Sequence, residues 1–137
     1  MTALTADRAT PERAGDEFSY PVAASVICRA GGIAALNASG NVLPAITNTT
    51  LVCVGRFEET VDNLAGTAGV VSARVKRGVF RYANSGGGDA ITAAEIGDVC
   101  YLVDDQTVAK TNGTSTRSAA GTVVAVDSAG VWVRMGI

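Results

Sequence analysis

The side chains most able to do chemistry in this chain are carboxylates in two adjacent pairs, Glu58-Glu59 and Asp104-Asp105. Two carboxyl groups held close together can divide into a general acid and a general base. Neighbours in a strand point to opposite faces, so Glu58 and Glu59 are expected to diverge. Asp104-Asp105 stands between two apolar runs, where Asp favours a turn by bonding nearby backbone. Hydrolytic chemistry near neutral pH generally relies on histidine as the proton shuttle, and the chain has none. Asp104, Asp105 and Asp127 could offer oxygen to calcium, yet no loop carries the spaced Asp-x-Asp-x-Asp-Gly pattern. The expectation is no catalytic residue, no cofactor and no metal, and therefore not an enzyme.

The three cysteines, Cys28, Cys53 and Cys100, lie far apart in sequence, each in an apolar run. They read as free thiols behaving as small hydrophobes. The stretch Asn84-Ser85-Gly86-Gly87-Gly88-Asp89 could be thought to cradle phosphate. A phosphate loop also needs a Gly-Lys-Ser/Thr step into a helix, and no Gly-Lys pair occurs in the chain. This stretch is expected to be a flexible loop.

The elements that must position these groups read as β throughout. The chain has 137 residues, enough for one independent core. Apolar residues make up 47%, aromatic residues only 5%, and there are 16 glycines, which favours short strands and tight turns around a Val/Ala/Ile/Leu core. The net charge of −2 comes from interspersed signs with no like-charged block, so neither a nucleic-acid nor a membrane partner is expected. No run approaches the ~18 apolar residues of a membrane helix, and the first eight residues lack the apolar core of a signal peptide. The expected place is inside a cell, or on a particle that leaves it.

Residues 1–17 read as an extended arm, with Leu4 as its one large aliphatic anchor after Met1 and alternating charges that include Arg8 and Arg13. A short helix over residues 10–13 is conceivable, with Thr10 as cap and Pro11 at its first position. The arm has too little apolar content to pack on its own body, so it is expected to lie on a neighbouring subunit. Residues 18–137 read as one barrel-like domain. Within it, residues 22–29 form a strand, residues 33–45 a hairpin whose second strand is marginal at Pro44, and residues 51–59 the most apolar strand. Residues 62–69 read as a loop. Residues 71–84 alternate, with Gly78 marking a bend that switches faces. Thr92-Ala93-Ala94-Glu95 fits a capping box with Gly97 as a left-handed stop, the only helical turn expected past the arm. Four β segments then follow between residues 96 and 135 and read as an antiparallel meander. Trp132 alternates with Val131 and Val133, so either it or the valines face the core. A lone Trp is usually buried, and truncating it then costs ~3–5 kcal/mol. The fold class is all-β: a small antiparallel barrel or sandwich with one short helical turn and an extended N-terminal arm.

Several stretches carry a family likeness. They are Phe18, Tyr20, Pro21, Val22 and Ala23 at the start of the body; V-G-R-x-E-E-T-V-D-N over residues 54–63; R-G-V-F-R-Y-A-N-S over 77–85; I-G-x-x-C-Y-x-V-D-D-Q-T-V-A-K-T over 96–111; and R-S-A-A-G-x-V-V-x-V-D-x-x-G-V-W-V over 117–133. In these the chain resembles the capsid cement, or head decoration, proteins of tailed bacteriophages and prophages. The likeness spans nearly the whole chain and consists of turn-and-strand patterns. It implies a structural protein on the outer surface of the virion head that bridges neighbouring major capsid proteins and forms a homodimer or homotrimer. On that reading Leu4 anchors the arm, Arg8 and Arg13 pair with acidic capsid groups, and Phe18 and Tyr20 set the hinge between arm and body. A β-barrel module of a phage tail or baseplate, touching a host glycan, is the alternative.

Overall fold

The computed structural model describes residues 2–13 and 15–137 and is all-β. Met1 and Ala14 of the expected arm lie outside the described residues. Twelve strands follow in order: β1 (Glu17–Pro21), β2 (Val26–Cys28), β3 (Ile33–Leu36), β4 (Val42–Pro44), β5 (Val52–Phe57), β6 (Val61–Asn63), β7 (Ser72–Lys76), β8 (Gly78–Asn84), β9 (Val99–Leu102), β10 (Thr107–Ala109), β11 (Ala119–Asp127) and β12 (Gly130–Met135). They make a five-stranded sheet in the order β1-β7-β5-β3-β4, a closed five-stranded barrel β10-β8-β12-β11-β9, and a ribbon of β2 with β6.

The sheet is buried on both faces, and the period of two decides which residue goes where. Ile33, Ala35 and Cys53 join the barrel's core with Cys100, Leu102, Val108, Val131 and Val133. Ala34, Val54, Phe57, Ala73 and Val75 form a second core with Val22, Cys28 and Val42. Each fully buried Val or Ile contributes about 1.5–3 kcal/mol relative to exposure. Sheet and barrel are also tied by polar bonds. The Tyr82 hydroxyl donates to the Gly31 carbonyl at 2.8 Å, Ile33 N–H donates to Asp105 O at 2.8 Å, and Leu51 N–H donates to Ser118 Oγ at 3.0 Å.

The bend expected at Gly78 is where the chain leaves the sheet for the barrel. Before it, odd residues Ala73 and Val75 are buried; after it, the inward positions are the even Phe80 and Tyr82. Two glycines let other strands approach this crossover. A Cβ on Gly55 (φ +131°) would meet the Lys76 carbonyl oxygen at 2.2 Å, and one on Gly136 (φ +103°) would meet Arg77 Cβ at 2.3 Å. Any other residue at either position would carry backbone strain as well as the clash.

The hairpin of β3 and β4 turns at Asn37, whose Oδ1 accepts from Ser39 N at 3.0 Å and Asn41 N at 3.1 Å. Pro44 lies on the outermost strand of the sheet, as its missing N–H requires. The capping box also forms: Ala94 N–H donates to Thr92 Oγ1, Thr92 N–H donates to Glu95 Oε2, and Gly97 has φ +94°.

Other expectations are corrected. Residues 22–29 are not one strand, because the chain turns at Ser25 (φ 60°) and only Val26–Cys28 continue as β2. The partner of β2 is β6, which takes up the first two residues of the loop expected over residues 62–69. That loop is pinned by buried Asn63, whose Nδ2 donates to the carbonyls of Ala23 (2.9 Å) and Thr67 (3.1 Å). The glycine-rich stretch contains a second helical turn, a 3-10 turn at Gly87–Asp89. Asn84 closes it by donating to Ile91 O and accepting from Ile91 N. No helix forms over residues 10–13.

The C-terminal meander is also incomplete. β11 pairs with β9, passing over β10, while β10 pairs in parallel with β8 and closes the barrel. Trp132 is the outward residue of β12, half-buried between Val131 and Val133, which are fully buried. Its Nε1–H donates to Asp127 Oδ2 at 2.9 Å.

Two stability tests come from this arrangement. Phe57→Ala, at a fully buried position, should cost ~3–5 kcal/mol in urea unfolding. Trp132→Ala should cost well under that, and an equal loss would place the indole in the core. The Glu95 carboxylate is held down to about 2, first by the Thr92 side-chain hydrogen bond, then by the Thr92 N–H and Lys110. A depressed carboxylate stabilises above its ordinary value and loses that contribution as pH falls toward the folded value. Glu95→Gln should therefore flatten the decline in melting temperature between pH ~4.5 and ~2 relative to the parent chain.

Candidate binding surfaces

Three of the four paired carboxylates are engaged within the fold. Glu58 receives both of its contacts from Arg56 Nη2, at 2.9 and 3.0 Å, while Glu59 turns to Arg74 at 3.5 Å. The two side chains diverge to separate partners, but not as strand neighbours: the strand expected over residues 51–59 ends at Phe57, and both glutamates lie in the bend beyond it. Asp104 Oδ1 accepts from Gln106 N at 2.9 Å, a turn bond. Asp127 accepts from Ala129 N at 2.8 Å, Gly130 N at 3.0 Å and the Trp132 indole. The indole bond, then the turn amides, hold its carboxyl below the usual carboxylate range. Among the described residues no group of three or more His, Cys, Asp or Glu is placed to hold a metal ion.

All three cysteines are buried and free. Burial pushes Cys28 and Cys53 up to about 11 and Cys100 up to about 12. They are protonated and inert near neutrality, because the thiolate is the nucleophile.

The partner-binding residues expected in the arm fall into two groups. Residues 2–13 are exposed throughout, and Leu4 is 72% exposed. Their internal bonding amounts to one described backbone contact, Thr10 N to Arg8 O at 3.1 Å. Leu4, Arg8 and Arg13 are thus available to a partner, although the Arg13 guanidinium rests over the Phe18 ring at 5.0 Å. Phe18 and Tyr20 are different. They lie within β1, opposite Val75 and Ala73 of β7, with ring centroids 6.4 Å apart. They belong to the outermost strand of the sheet rather than to a hinge. The body begins one residue earlier than expected, at Glu17, and Asp16 O already accepts from Arg77 N at 2.9 Å.

A second surface was not singled out from sequence. Where the sheet meets the barrel, a cleft of about 420 Å³ is lined by Gly31, Arg56, Val79, Phe80, Arg81, Tyr82 and Trp132. Two guanidinium groups lie over aromatic faces there: Arg56 over Phe80 at 4.3 Å and Arg81 over Trp132 at 5.7 Å. Arg81 and Trp132 are direct cross-strand partners on the barrel's outer face. The sequence signal was the phase of residues 131–133, which left the tryptophan and the valines on opposite faces.

The thiol assignment has a direct check. At pH 8 the native protein should react with a thiol-specific chromogenic disulfide far more slowly than the unfolded chain, which should titrate three thiols. Rapid reaction of a native thiol would mean that its strand opens to solvent.

No family model, no curated protein and no solved structure matches this chain at a significant level.

Proposed function

We propose that this chain is a structural protein that decorates the outer surface of an assembled phage head, bridging neighbouring major capsid proteins to stabilise the shell. The observation that carries the reading is the arm. Residues 2–13 extend from the outermost strand of a well-packed body, all exposed, with an aliphatic anchor at Leu4 and cations at Arg8 and Arg13. An exposed arm of this kind gains order only by burying surface on another chain, and that burial must offset its ordering entropy. The body suits the role, since its buried thiols are protonated and Glu58, Glu59 and Asp104 are engaged within the fold. Modest contacts per copy become a large total when many copies act across a lattice. On this reading the protein assembles as a homodimer or homotrimer, and its place is the outside of the virion.

The half-buried, outward Trp132 and the Arg81 laid over it favour one other reading, a tail or baseplate module that stacks an aromatic ring on a host glycan. Co-sedimentation with heads stripped of their decoration separates the two. The full chain should pellet with heads, and a chain lacking residues 2–15 should stay folded but pellet at least about tenfold less, a loss of roughly 1.4 kcal/mol. A full chain that stays in the supernatant would contradict the head reading. Retention on a glycan array in that case would favour the other.

A further inference from the structure

We infer that the cleft between sheet and barrel is a second docking face, and that it takes an acidic surface of the partner protein. The inference rests on the capsid-decoration reading for the partner's identity, and the cleft itself for the partner's chemistry.

Charge pairing sets this face apart. Arg56, Arg74, Arg77, Lys110 and Arg117 each hold a carboxylate of the same chain. Among the described residues Arg8, Arg13, Arg29, Lys76, Arg81 and Arg134 hold none, and of these Arg81 lies in this cleft with Arg134 and Lys76 on the strands beside it. Arg81 lines it. Arg134 is the cross-strand partner of Val79, another lining residue, and points to the same outer face of the barrel. Lys76 is the cross-strand partner of Arg56 in the sheet and lies opposite in phase to the buried Val75. The chain as a whole is net −2, so this concentration of unpaired cations is local. No acid lines the cleft. Of those nearby, Glu58 is held by Arg56, Asp127 by the Trp132 indole and Glu17, opposite Lys76, by Arg74, while Asp105 lies close enough to act on the Tyr82 hydroxyl.

The apolar part of the face matches. Val79 is 39% exposed, and Trp132 is held at a fixed angle by its bond to Asp127, with Arg81 laid over its ring. Trp and Arg at the centre of a face, with few competing acids, are the composition of energetic centres in protein interfaces. Planar guanidinium groups favour carboxylates, which they can hold by two parallel bonds. A protein loop bearing Asp or Glu beside an aliphatic or aromatic residue satisfies both halves of the cleft. A nucleic-acid backbone would satisfy only the cationic half, and the cleft offers a single outward indole rather than a row of rings for successive bases.

The test uses the full chain with its arm intact. Arg81→Glu/Arg134→Glu and the neutral Arg81→Gln/Arg134→Gln pairs are compared with the parent for binding to stripped heads, with melting temperature as the control for folding. The charge-reversed pair should bind about tenfold or more weakly, the neutral pair should fall between it and the parent, and parent binding should weaken as NaCl rises from about 50 to 500 mM. Parent binding with both variants unaffected overturns this face and leaves the head reading in place. Failure of the parent itself to bind heads overturns both. A labelled single-stranded oligonucleotide bound by the parent more tightly than the heads, and lost in the variants, would overturn the choice of a protein partner. If the glutamate pair melts early, the glutamine pair decides: no loss of binding in a stably folded neutral variant overturns the proposal.

Discussion

The fold depends on one close approach of backbones, at the crossover where Lys76-Arg77-Gly78 leaves the sheet and enters the barrel. β5 and the end of β12 both pass this point with a glycine, because the Lys76 carbonyl and the Arg77 Cβ leave no space for a side chain. The consequence is a change of phase in one continuous segment. Odd residues face the second core before the crossover, and even residues face the barrel after it. That change lets a single stretch serve both cores. It also turns Arg81 and Val79 to the outside, next to Trp132 and Arg134 of the neighbouring strand. The cleft is therefore a product of the crossover and not an independent feature.

The same constraint accounts for the chemical character of the molecule. A sheet buried on both faces leaves its interior without titratable groups beyond thiols and the Tyr82 hydroxyl. Charge lies on the outward positions of strands, in turns and on the exposed arm. Acids in turns are engaged by local backbone, as at Asp104 and Asp127, and acids beside strands are taken by arginines, as at Glu58 and Glu59. The distribution leaves a well-packed body, an exposed arm with one large aliphatic side chain, and a cationic aromatic cleft.

Local signals in the sequence carried much of this. The hairpin of residues 33–45, the Thr92 and Glu95 capping box, the stop at Gly97 and the bend at Gly78 each rest on residues within a few positions of one another, and each forms as read. The misreadings required contacts between distant segments. The β2–β6 ribbon depends on buried Asn63 reaching the Ala23 carbonyl, forty residues away in sequence. The parallel pairing of β10 with β8 depends on barrel closure, which no local pattern encodes. Phe18 and Tyr20 look like a hinge in sequence because they follow a polar arm, and they become strand residues because β7 supplies the matching edge. The arm residues Leu4, Arg8 and Arg13 were legible from composition alone. The cleft was not, because Arg56 joins Arg81 and Trp132 only when sheet and barrel dock.

The most direct measurement is amide hydrogen exchange of the protein free and bound to stripped heads. In the free protein the arm amides of residues 2–13 should exchange at nearly unprotected rates, since their one described backbone hydrogen bond joins Thr10 to Arg8. On heads, those amides should slow strongly while the interior strands of the sheet are unchanged. Arm amides that exchange equally fast in both states would contradict the claim that the arm is what holds this protein to its partner.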